Sequence, residues 1–144
     1  MNIPGRKYFN GEIVLSDWFP RGGDNAIFRV ERIASSSSPT GGVKLLVTFN
    51  TKNMEDEGDG AEIIDPNGGG EGYFIVLNPG DDGVIGQTLI LSETSGSDVV
   101  GMKEMVRLKF QAIDAGSGTE KDWVMARCFP PIFFDDAKRM PSRS

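Results

Sequence analysis

Apolar and polar side chains alternate with period two along much of this chain, which puts every second residue on one face of a β-strand. Val43, Leu45, Val47 and Phe49 share one face of such a segment, with Lys44 and Thr48 on the other. Later, Val106, Leu108, Phe110 and Ala112 alternate with Arg107, Lys109 and Gln111. Both segments read as half-buried strands, one face on the core and one toward water. Shorter or less regular strands are predicted over residues 11–15, 26–33, 73–77, 88–91 and 123–129, each bounded by clusters of Gly, Pro, Asp or Asn.

Helical signals are sparse. No window of ordinary helix length keeps an i, i+3, i+4, i+7 apolar stripe free of Gly and Pro. Residues 99–106, with a Lys103-Glu104 pair and two methionines, would suit a helical turn, but the alternation that follows favours the start of a strand. The expected fold is therefore all-β: an antiparallel β-sandwich, jelly-roll or immunoglobulin-like, of about seven or eight strands with little helix. A chain of 144 residues is long enough to bury one core without staples, so residues 1–144 are expected to form a single domain.

Loops are expected at residues 35–42, 53–70, 78–83 and 115–121, and residues 135–144 are expected to form a mobile C-terminal tail. Residues 53–70 stand out as a long, acidic, Gly-rich connection, well beyond hairpin length, and such loops tend to carry function. The charge of the whole chain points to the same region. Residues 51–100 hold eleven of the 21 Asp/Glu and only one of the 15 Lys/Arg, whereas the segments on either side are mildly basic. An acidic block of this kind repels a phosphate backbone, which sets nucleic acid aside as a partner.

Two absences narrow the chemistry. The chain has no histidine, so Ser-His-Asp and Cys-His catalysis and the commonest zinc sites are excluded. Its single cysteine, Cys128, cannot form an intrachain disulfide, and a lone thiol fits a reducing compartment. No stretch approaches the roughly 18 consecutive apolar residues of a membrane span. Residues 1–10 lack the apolar run of a secretory signal. The expectation is a soluble protein, cytoplasmic or assembled into a particle inside the cell, and not an enzyme. Carboxylate chemistry of the glycosidase kind survives as the remaining catalytic option, without an evident facing acid pair.

Three segments are candidates for binding. Glu55, Asp56, Glu57 and Asp59 place four carboxylates in the acidic loop, with Glu62 and Asp65 close behind, a donor set suited to calcium. Set as an EF-hand loop with Gly60 at the sixth position, Glu55, Glu57 and Asp59 take the first, third and fifth places. Pro66 then stands at the twelfth, where a bidentate Glu is required, so only a calcium loop of another type would fit. In the second segment Trp18, Phe19, Arg21, Asp24 and Asn25 surround Pro20 and the Gly22-Gly23 pair, a combination that can contact a protein partner or stack on a glycan. The third is Ile132, Phe133 and Phe134, apolar residues after Pro130-Pro131, expected either to close the chain's own core as an edge strand or to contact another subunit. Together these features favour a structural or interaction module that self-associates, of the virion, tube or shell component type. The alternative is a carbohydrate- or calcium-binding sandwich module.

Overall fold

The computed structural model describes residues 3–36, 42–64, 71–81, 83–90, 103–114 and 119–135. Among them every regular element is a strand, paired antiparallel. The order is β1 (Ile3–Phe9), β2 (Ile13–Leu15), β3 (Phe19–Pro20), β4 (Asn25–Ser35), β5 (Val43–Lys52), β6 (Ala61–Glu62), β7 (Phe74–Leu77), β8 (Val84–Ile90), β9 (Met105–Asp114), β10 (Trp123–Cys128) and β11 (Ile132–Phe134). The count exceeds the seven or eight expected because β3, β6 and β11 are only two or three residues long. Their pairing is imposed by a neighbouring long strand and leaves no periodicity of its own.

The unbroken alternation of β5 and β9 makes them the longest pair, in register from Val43 opposite Asp114 to Lys52 opposite Met105. They centre one sheet. Beyond β9 lie β2 and β3, and beyond β5 lie β7 and β6, so each central strand carries two short strands end to end on its outer edge. The other sheet is built on β4. Residues 25–27 of β4 pair with both β8 and β11, which must therefore lie on opposite edges of it. β10 pairs with the C-terminal half of β4 and β11 with its N-terminal end, and β1 lies beyond β10. Pro130 and Pro131 cannot donate to a ladder, so β10 and β11 are interrupted there, although Phe129 N still donates to Arg29 O at 3.0 Å just before the break.

The sheets curl about one core. Its largest fully buried members are Tyr8, Phe28, Phe49 and Phe110. Aromatic contacts run from sheet to sheet: Tyr8 stacks on Phe110 at 5.4 Å, and Phe28 meets Phe49 at 4.7 Å. Strand β1 has no counterpart among the sequence-predicted elements, because Pro4-Gly5 and Arg6-Lys7 break the alternation. A register shift between Ile3 and Arg6 absorbs the irregularity, and charged residues are at home on an edge strand. The start of the connection after β5 is also more ordered than a plain loop: β6 pairs with the end of β5, Ile64 bridges Gly72, and Ile63 is fully buried. The second half of that loop, residues 65–70, and the tail beyond Asp135 lie outside the described residues.

Candidate interaction surface

Alternation on β5 and β9 leaves an outward phase as regular as the inward one. Lys44, Leu46, Thr48, Asn50 and Lys52 point away from the core on β5, and Arg107, Lys109, Gln111 and Ile113 do so on β9. Cross-strand register arranges them in rows. Leu15, Lys109, Thr48 and Phe74 form one, and Ile13, Gln111, Leu46 and Val76 the next. Ile13, Leu15 and Phe74 are each about half exposed, at 53%, 46% and 48%, so apolar side chains flank a line of cations along the middle of this face. A groove of about 210 Å³ lies here between Ile13 and Leu15 on one side and Asn50, Arg107 and Lys109 on the other, with Asp59 also on its wall.

Trp18 closes one end of the face. Its ring has Arg107 Cζ at 4.4 Å and Lys52 Nζ at 4.7 Å, so two cations rest against one indole. Arg107 is nearly buried, and its outer nitrogen reaches Asp59 at 3.5 Å, long for an ion pair. Arg107 Nε and Asn50 Oδ1, on residues opposite each other in register, are buried without a hydrogen-bond partner among the described residues.

The acidic loop is pinned to the same end. Asp56 accepts from Asn53 N at 3.1 Å, Lys52 Nζ donates to Asp56 O at 3.3 Å, and Met54 N donates to Glu104 at 3.0 Å. Gly60, with φ of 71°, brings the chain back so tightly that a Cβ there would strike the carbonyl oxygen of Thr51. Of the four residues singled out for calcium, Asp56 is thus spent on a turn and Asp59 leans toward Arg107, while Glu55 and Glu57 are exposed with no partner among the described residues. No three acidic or sulfur ligands gather anywhere among the described residues.

The second sequence candidate divides. Trp18 lies on the outer face, whereas Phe19 turns inward and packs against the core, 6.3 Å from Phe28. Arg21 is exposed and its N–H donates to Glu104 O at 2.9 Å, and Asn25 is buried at the start of β4. Asp24 N donates to Asp135 at 3.3 Å. These side chains do not converge on one stacking surface, since the indole that would carry it is engaged by Lys52 and Arg107. The glycine pair serves a packing role instead. A Cβ on Gly22 would come within 2.9 Å of the Phe133 ring, and one on Gly23 within 3.0 Å of the Phe134 backbone.

The second and third candidates are therefore joined: residues 22–23 are the seat of β11. Within β11 the residues separate by phase. Phe133 faces inward and meets Phe28 edge-on at 6.4 Å, while Ile132 and Phe134 remain 45% and 40% exposed. They share the outer face of their sheet with exposed Phe9, Ile33 and Val84 and with Phe129, whose ring lies near both Arg29 and Arg127.

A cleft of about 450 Å³ opens between β1 and β2 over Tyr8 and Phe110. Two of its polar side chains, Arg6 and Ser16, are engaged in holding the edges together. Arg6 pairs with Glu12 at 3.2 Å, and the Ser16 hydroxyl donates to Asp17 O while accepting from Leu108 N at 2.9 Å. Cys128 is buried, and burial pushes its thiol pKa up to about 11, away from a reactive thiolate. Arg127, its neighbour in sequence, turns outward to Glu31 at 2.7 Å.

No protein-family model, curated protein or solved structure matches this chain. No helix among the described residues is long and apolar enough to cross a membrane.

Proposed function

We propose that this chain is a non-enzymatic interaction module that assembles with copies of itself, as the subunit of a tube, shell or virion-type particle, on a β-sandwich of jelly-roll or immunoglobulin-like type. The observation that carries this reading is that the outer faces of both sheets expose large apolar side chains. Phe9, Ile33, Val84, Ile132 and Phe134 do so on the β4 sheet, and Ile13, Leu15 and Phe74 on the β5–β9 sheet. Single exposed apolar residues are ordinary, and Phe9, Ile33 and Val84 are spread along their sheet, but Ile132 with Phe134, and Ile13 and Leu15 with Phe74 in adjacent rows, form the kind of cluster that protein contacts cover. A subunit with two such faces can be contacted from both sides, which is what a closed ring or an extended lattice needs. The lone buried thiol of Cys128 fits assembly in a reducing compartment.

Sedimentation velocity on two surface variants tests the reading. Ile132→Ser with Phe134→Ser strips one outer face, and Ile13→Ser with Leu15→Ser strips the other. Each pair is expected to lower the sedimentation coefficient of the assembled protein while leaving the melting temperature within a few degrees, since the removed side chains are exposed. A parent chain that sediments as a monomer throughout the accessible concentration range would overturn the proposal.

A further inference from the structure

On the reading of a self-associating module, we infer that the outer face of the β5–β9 sheet is a two-fold, self-complementary interface, in which the acidic loop at residues 54–59 of each copy docks on Lys44 and Lys109 of the other.

Charge complementarity on a single surface carries this inference. The face presents Lys44 and Lys109, neither of which has an ion-pair partner among the described residues. At one end of the same face the loop presents Glu55 and Glu57, equally free. Glu55 and Glu57 pair with neither lysine within one copy, although Asp59, at the end of the loop, shares a groove with Lys109. Lys44 stands eight residues before Lys52 on β5, about 27 Å along an extended strand, and the loop begins just past Lys52. A surface with acid at one end and base toward the other meets its own image with signs matched when a two-fold axis crosses the strands between them. Such isologous pairing needs no other partner.

Two further observations fit. The loop is ordered before any contact, held by Asp56 to Asn53, by Met54 to Glu104 and by the tight return at Gly60, so little freedom is lost on docking. Met54 leads it with 68% of its surface exposed, a flexible apolar tip beside the two glutamates. A face made only of charge would be steered by salt alone. Here the rows of Leu15 and Phe74, and of Ile13, Leu46 and Val76, supply apolar area beside the charges.

Charge reversal with mixing is the test, read by light scattering after size exclusion on the full chain. One variant carries Lys44→Glu and Lys109→Glu, and the other Glu55→Lys and Glu57→Lys. Alone, each places like charges across the interface and is expected to weaken pairing at least about tenfold, with an unchanged melting curve showing that the fold is intact. Mixed in equal amounts, the two variants restore opposite signs at both contacts of a heterodimer, so the mass of the parent assembly should return. Pairing of the parent should also weaken as salt rises.

Either variant pairing as tightly as the parent overturns the inference, as does a mixture that stays as dissociated as its two components. If the charge variants leave assembly untouched while Ile132→Ser with Phe134→Ser abolishes it, this interface is wrong and self-association through the β4 sheet stands. A parent that is monomeric everywhere removes both.

Discussion

At the scale of single residues, burial decides the chemistry of two groups that titrate far from their usual values. Cys128 and Tyr8 sit on the inner face of the β4 sheet, and burial pushes their pKa values up to about 11 and about 12. Folding therefore favours the protonated thiol and phenol over their anions. The stabilisation from Cys128 is complete below pH 9 and lost as pH rises to about 11, and that from Tyr8 is complete below pH 10 and lost toward about 12. Urea unfolding between pH 8 and 12 should show stability falling across this window, and Cys128→Ala should flatten the first part of the fall. Gly60 makes the second residue-scale prediction. With φ of 71° and Thr51 against the position of a Cβ, Gly60→Ala should cost at least about 2 kcal/mol in a denaturant melt. An Ala variant as stable as the parent would mean that the loop does not return this way.

At the scale of elements, legibility followed the length of unbroken alternation. β5 and β9 could be read directly because their apolar phase runs through whole strands, and β4 and β10 nearly so. β1 could not, since Pro4-Gly5 hides its phase, and β11 could be seen only as an apolar run behind two prolines. The candidate surface was legible in a different sense. Its lysines are the polar phase of the same two strands, but the rows they form depend on register, which periodicity alone does not give. The seating of β11 on Gly22-Gly23 joins segments more than a hundred residues apart and left no trace except the presence of the glycines. That contact predicts a division within β11. Phe133→Ala removes a ring packed on Phe28 and should cost about 2 kcal/mol in a thermal or denaturant melt, whereas Phe134→Ser should leave stability nearly unchanged and act on assembly. Equal losses from both would show that β11 does not present the phase described.

At the scale of the whole molecule, a small acidic protein carries two outer sheet faces that each mix cations with exposed apolar side chains, and its excess of carboxylates is concentrated in residues 51–100. Net negative charge alone would keep copies apart. On the proposed two-fold pairing, the acidic loop beside a face of lysines turns part of that charge into a directional contact, and the apolar rows give it area. The solution mass of the parent chain, by light scattering coupled to size exclusion at low and high protein concentration, is the most direct measurement of this. A discrete multiple of the subunit mass, or a larger particle, that grows with concentration and shrinks at high salt is the predicted result. A mass of one subunit, 15.6 kDa, at every concentration and salt would contradict it.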